Sequence, residues 1–233
     1  GGALECQSDA VVIVNGCLIR GNRAGYGGGV AVWANARVTL SRCTLIENVA
    51  FSTGGAILCV SGVKLRIDQC TLADNSAAGT GACLASPTTG EMSFITVSRS
   101  ILAFNDSPAV GCSSTAQYGF TCTDIYGNDV NWGPCIENQL GVNGNIQDDP
   151  LFCGAANPEQ PYTLDVASPC APGHDPECGL IGAWPVACPA AGISSPGAGR
   201  DLFGLFVSPN PSRGSARLTY RLPAIAGSPA AQL

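Results

Sequence analysis

Histidine and methionine are nearly missing from this chain, with one of each in 233 residues. With His174 as the sole imidazole and no Cys-x-x-Cys pair among the 13 cysteines, none of the cysteine spacings reads as a zinc site. Charged side chains make up only 12% of the chain. No apolar run reaches the roughly 18 residues that a helical membrane span requires. No stretch holds an apolar face at the helical period of about 3.6 residues for long enough to build a substantial helix. Neither an EF-hand loop nor a nonapeptide calcium repeat occurs. No secretory leader is visible, and Gly1-Gly2 already stands at a repeat corner, which predicts further coils upstream.

What is present is repetition. Asn22, Asn48, Asn75, Asn105 and Asn128 follow one another at gaps of 26, 27, 30 and 23 residues. The text around them recurs as VNGCLIRGN, LSRCTLIEN, IDQCTLADN, VSRSILAFN and FTCTDIYGN. A period in this range marks a repeated supersecondary unit. Within it, Val12, Val14, Cys17 and Ile19 return as Val38, Leu40, Cys43 and Leu45. They return again as Leu65, Ile67, Cys70 and Leu72, then as Ile95, Val97, Ser100 and Leu102. The residues between, such as Thr39, Ser41 and Thr44 or Arg66, Asp68 and Thr71, are mostly polar. Alternation with period two predicts strands buried on one face. Its shift by one residue at Gly16, Arg42 and Gln69 predicts a bend there.

A second strand in each copy carries the inward pairs Leu4 and Cys6, Val30 and Val32, Ile57 and Cys59, and Ala82 and Leu84. Gly1-Gly2, Gly27-Gly28, Gly54-Gly55 and Gly79-Thr80 precede them, and paired glycines supply the positive φ of a corner. Short strands, tight corners and coils of this length predict a right-handed parallel β-helix, an all-β solenoid of about five coils with a coil rise of about 4.8 Å. Like residues then stack on like. The Asn ladder is expected to occupy left-handed corners and to bond along the helix axis through stacked amides.

Cysteine and charge divide the chain. Cys6, Cys17, Cys43, Cys59 and Cys70 fall on inward solenoid positions as small hydrophobes. Stacking brings Cys17, Cys43 and Cys70 within reach of one another, with disulfides and free thiols both open. Seven more stand from Cys112 onward, in a loop-rich stretch that gains most from disulfides and predicts an extracytoplasmic, secreted or cell-surface location. The pairs closest in sequence, Cys112 with Cys122 and Cys170 with Cys178, are the first expected. Residues 1–110 are net neutral, 111–188 net −9 with no Lys or Arg, and 189–233 net +3. This balance argues against nucleic acid as a partner.

The coil text GGAILC…LRIDQCTLADN resembles the right-handed β-helix repeats of secreted and surface-exposed bacterial proteins. Asp149-Pro150-Leu151-Phe152, Tyr162-Thr163-Leu164, Ser168-Pro169-Cys170 and Ile181-Gly182-Ala183 resemble the closing element of such solenoids. After the Pro/Gly/Ser linker, Leu205–Pro211 and Arg217–Pro223 resemble the opening strands of an immunoglobulin-like C-terminal sorting or anchoring domain. The resemblance implies coils over 1–130, a Cys-rich acidic cap over 131–188, a linker over 189–200 and the truncated start of the sorting domain over 201–233. It is specific for architecture rather than for activity.

A catalytic constellation is not visible. Arg37 and Lys64 occupy equivalent outward positions on successive coils, and Arg42 and Arg99 do so two coils apart, without a matching carboxylate cluster. Asp148-Asp149, the one adjacent acidic pair, belongs to the closing element. A glycosidase requires two opposed carboxylates. His174 lies between Pro172 and Pro176 with no nucleophile in a matching motif. Asp124, Asp129, Asp148 and Asp149 offer hard oxygen ligands for Ca²⁺, and no other cofactor is expected. Tyr26, Trp33 and Phe51, at or near corners, are candidates for a sugar-stacking patch, or else they cover those corners. The expected function is a non-catalytic structural or adhesive solenoid whose partner is a glycan or another cell-surface component. The alternative is a polysaccharide-active, pectate lyase-like enzyme or carbohydrate-binding module with its site in upstream coils.

Overall fold

A computed structural model describes residues 1–87, 90–154 and 160–188, together with the strands Leu205–Ser208 and Arg217–Tyr220. The linker and most of the expected sorting domain lie outside the described residues. The two late strands pair antiparallel.

Five stacked coils form a parallel β-solenoid. The first coil runs through Leu4–Cys6, Val11–Asn15, Leu18–Arg20 and Arg23–Ala24. The second repeats this as Val30–Trp33, Arg37–Ser41, Thr44–Ile46 and Val49–Ala50. Ile57–Val60, Lys64–Asp68, Thr71–Ala73 and Ser76–Ala77 make the third. The fourth has Leu84–Ala85, Ser93–Ser98 and Ile101–Ala103, and the fifth Val110–Gly111, Ala116–Thr121 and Asp124–Tyr126. Corresponding strands pair in parallel into three five-stranded sheets and one three-stranded sheet, here numbered first to fourth in the order a coil passes through them.

The second sheet shows why the sequence folds this way. Val38 and Leu40, Leu65 and Ile67, and Ile95 and Val97 point into the core and are at most 2% exposed. Their neighbours face outward. The alternation breaks where Gly16, Arg42, Gln69, Arg99 and Cys122 take positive φ, so these residues turn the chain from the second sheet to the third. Burying the apolar columns supplies the drive, and parallel pairing satisfies the backbone along the axis.

The glycine pairs do two jobs. Gly27, Gly54 and Gly81 adopt positive φ. At Gly55 an added Cβ would stand 2.5 Å from the carbonyl oxygens of Ala82 and Ser76, so bare backbone is needed between coils. The fourth-coil corner is therefore Gly81, not Gly79, and Leu84 pairs with Ile57 rather than with Cys59. The fourth coil is longer because it carries extra residues between Ala85 and Ser93, beyond the corner.

The last coil is closed by residues 131–146. Trp132 packs edge-on against Phe120 at 5.5 Å. The Gln139 side chain accepts from the Phe120 N–H (2.8 Å) and donates to the Tyr118 carbonyl (3.0 Å), so it stands in for a sixth strand at the open edge. Residues 150–154 and 160–188 then fold back along the outer face of the third sheet. Leu164, Cys170, Cys178 and Ile181 pack there with Ile101, Ala103 and Cys122 in a second apolar cluster. This is why Thr44 and Thr71, which point out of the coil, are buried.

Candidate functional site

Each ladder Asn follows a residue of positive φ: Gly21, Glu47, Asp74, Phe104 and Gly127. The left-handed residue is the one before the Asn, which leaves the amide free to turn inward. Asn48 donates its backbone N–H and its Nδ2 to Asn75 Oδ1, both at 3.0 Å. Asn75 does the same to Asn105 at 2.9 and 3.1 Å. The chain of bonds begins at Asn22 and passes through Asn128 to Asn131, a terminal acceptor that lies outside the repeat. Asn75 Nδ2 also reaches the Leu45 and Ala73 carbonyls. The amide is fully engaged in holding adjacent coils together.

A second ladder follows the bend between the second and third sheets. Cys43 N–H donates to Cys70 Sγ (3.3 Å), Cys70 N–H to Ser100 Oγ (3.0 Å), and Thr123 N–H to Asn145 Oδ1 (3.1 Å). Cys17 stands at the start of this column. All three cysteines are free thiols, and Cys43 and Cys70 donate back to carbonyls of their own and the preceding coil. Burial holds the Cys70 thiol well above the usual range, while the hydrogen bond from Cys70 lowers Cys43. Cys83, which the sequence pattern did not place, is a further buried free thiol.

Three disulfides join Cys112 to Cys135, Cys122 to Cys178 and Cys153 to Cys188. The expected Cys112–Cys122 and Cys170–Cys178 pairs do not form. The extended strand Ala116–Thr121 separates the first two cysteines, and Cys122 instead meets the flanking segment folded over it. Cys170 is buried and donates to Asp124 Oδ2 at 3.4 Å. Asp124 is also fully buried, accepts from the Asp148 N–H, and has its pKa pushed up to about 7 by burial. Asp129, Asp148 and Asp149 lie at the surface. Among the described residues, no group of three or more His, Cys, Asp or Glu side chains is arranged to hold a metal ion. His174 is exposed in a turn, its N–H bonded to the Ala171 carbonyl.

Tyr26 and Phe51 are exposed on the loops that lead into the first sheet. Trp33 ends a strand at the far side of that sheet, with its indole N–H buried and unpartnered. No ring contact joins the three. The sequence pattern missed Trp184. Its Nε1 donates to Thr44 Oγ1 at 2.8 Å, while Ala183 N–H donates to Thr71 Oγ1 at 3.0 Å. Trp184 thus walls a cleft of about 390 Å³ with Asn15, Cys17, Arg42 and Thr44. Tyr162 ties the same flank to Asp74 Oδ2 at 2.6 Å. No residue type in the repeat signals these contacts.

A second concavity, of about 450 Å³, opens on the outer face of the second sheet between Arg37, Thr39, Lys64, Arg66, Phe94 and Thr96. It is shallow and built on rigid strands. Compared with family models, curated proteins and solved structures, the chain matches none. Any functional reading therefore rests on this geometry.

Proposed function

We propose that this chain is a non-catalytic, extracytoplasmic β-solenoid that serves as a rigid structural or adhesive module, of the secreted, surface-exposed bacterial type its repeats resemble. One observation carries the reading. The recurrent polar side chains of the interior, the Asn ladder and the Cys, Ser and Thr ladder, are consumed by bonds between coils. Buried amides and hydroxyls satisfied in this way serve structure. The outward positions of the second sheet, by contrast, are exposed or half-exposed at regular spacing. The three disulfides tie down the closing segment and the flank and suit an oxidising compartment. The final residues are read as the start of a sorting or anchoring domain.

The test is a glycan-array screen of the purified chain, with depolymerisation of polygalacturonate and alginate followed in parallel. Binding without new chain ends supports the module. Turnover would replace it with a polysaccharide-active enzyme.

A further inference from the structure

We propose that the outer face of the second sheet is a binding surface for an acidic, carboxylate-bearing polysaccharide. The proposal deepens the adhesive reading above and rests on it. Arg37 and Lys64 are direct cross-strand partners, and Arg66 lies two residues along from Lys64 on the same face. Adjacent strands bring such partners to within about 4.8 Å at the backbone, and like charges placed directly opposite each other destabilise a sheet. All three side chains are exposed, and none forms an ion pair among the described residues.

Two cations elsewhere on the coils hold carboxylates. Arg20 holds Glu47 through two bonds of 2.8 Å. Arg99 holds Asp68, the one carboxylate at an outward position of this sheet, at 2.6 and 3.1 Å, and Ser98 takes the same carboxylate at 2.8 Å. Arg42, at the corner, spends Nε and Nη2 on the amide oxygen of Asn15 and has no carboxylate. A chain of net charge −6 thus gathers three exposed cations on one face, where the single carboxylate, Asp68, is bonded to Arg99 and feels Arg66 only at a distance.

The neighbours of these cations define the occupant. Arg66 is flanked in register by Thr39 and Thr96; the Thr96 hydroxyl donates to the Leu65 carbonyl at 3.4 Å and keeps its acceptor side for a ligand. Lys64 is flanked by Phe94, 45% exposed, which offers an apolar face for a sugar ring. Cations for carboxylate, hydroxyls for hydroxyls and a ring for a C–H face are the complement of a uronic acid polymer. A phosphodiester backbone carries denser charge and is recognised by a longer basic track, which the acidic remainder of this chain opposes.

The experiment measures binding of the purified chain to polygalacturonate, fully methyl-esterified pectin, a DNA duplex and anionic vesicles, at low and physiological salt. Thermal melts and chain-end release are recorded alongside. Polygalacturonate should bind and the methyl ester should not. The double variant Lys64→Gln/Arg66→Gln should weaken binding by about tenfold or more with a melt no lower than the parent's, because both side chains are exposed and the change relieves the repulsion between Lys64 and Arg37. Arg20→Gln, on another sheet, should leave binding unaltered. No binding, equal binding of the ester, equal binding by the double variant, or preference for DNA or vesicles would each overturn the proposal. Release of chain ends from bound polymer would sink the non-catalytic reading while leaving the binding face standing. Absence of binding would remove the face and leave the module intact.

Discussion

Cysteine behaves in opposite ways in the two regions of this molecule. In the first four coils, Cys6, Cys17, Cys43, Cys59, Cys70 and Cys83 are all free thiols, although stacking brings several of them together. From the fifth coil through the closing segment and flank, six of seven are paired in disulfides, each bond having at least one cysteine in the closing segment or flank, and Cys170 is the exception. The difference follows from what holds each region. A coil is gripped above and below by a ladder of backbone bonds and by stacked apolar columns, so a thiol there acts as a small core residue with a carbonyl to donate to. Among its described residues the flank has no ladder. Its longest strand-like contacts are isolated bridges such as Leu164 with Val186, and covalent closure replaces the missing cooperativity.

That contrast can be broken from either side. Opening the Cys122–Cys178 disulfide, which spans 56 residues, should produce the largest effect. Cys122→Ala/Cys178→Ala is expected to destabilise the flank by about 4 kcal/mol on chain-entropy grounds. Amide exchange should rise across residues 150–188 while the coil strands keep their protection. Uniform loss of protection would mean that coils and flank unfold as one unit.

Asn75→Leu attacks the coils instead. It strips partners from the Asn48 N–H and Nδ2 and from the Leu45 carbonyl, all within the core. A cost of about 3 kcal/mol is expected from leaving buried donors unmet, read as a lower urea midpoint. An unchanged midpoint would remove the ladder's structural role.

The junction between the regions should respond to pH. Burial raises the Asp124 carboxyl from its ordinary 3.8 to about 7. Because the folded value exceeds the unfolded one, the native chain retains a proton that the unfolded chain has released. This group's contribution is present in acid and is lost as pH rises from about 4 to 7. Asp124→Asn should therefore match the parent at low pH and exceed it at pH 8, by up to about 4 kcal/mol for a shift of about three units. A constant difference across pH would show that Asp124 does not titrate there. The smallest effect is expected at the surface, where Arg20→Gln breaks a half-exposed ion pair with Glu47 and should cost about 0.5 kcal/mol or less.

Much of the coil was legible in advance because each of its signals repeats. Val38 and Leu40, Leu65 and Ile67, and Ile95 and Val97 alternate with polar neighbours, and the structure buries them as the alternation requires. The bend at Gly16, Arg42 and Gln69 is where the alternation slips. The fourth-coil register was misread because Gly79 imitates a corner. The spacing from the ladder Asn pointed to Gly81, since Asn75 precedes it by the same interval that separates Asn48 from Gly54. The cationic face was half visible, as Arg37 above Lys64. Thr39, Thr96 and Phe94 joined it only once strand register placed them beside those cations.

The sequence alone determined the repeated part: the period, the inward columns, the polar ladders and the expectation of disulfides after residue 111. Periodic alternation is a local property, and each coil confirms the last. Tertiary structure alone decided which cysteines pair, that Asp124 is buried, and that the flank covers Thr44 and Thr71. Trp184 reaches Thr44 across 140 residues. Such a contact occurs once, between segments with no shared pattern, and only the folding of the flank onto the third sheet brings the two together.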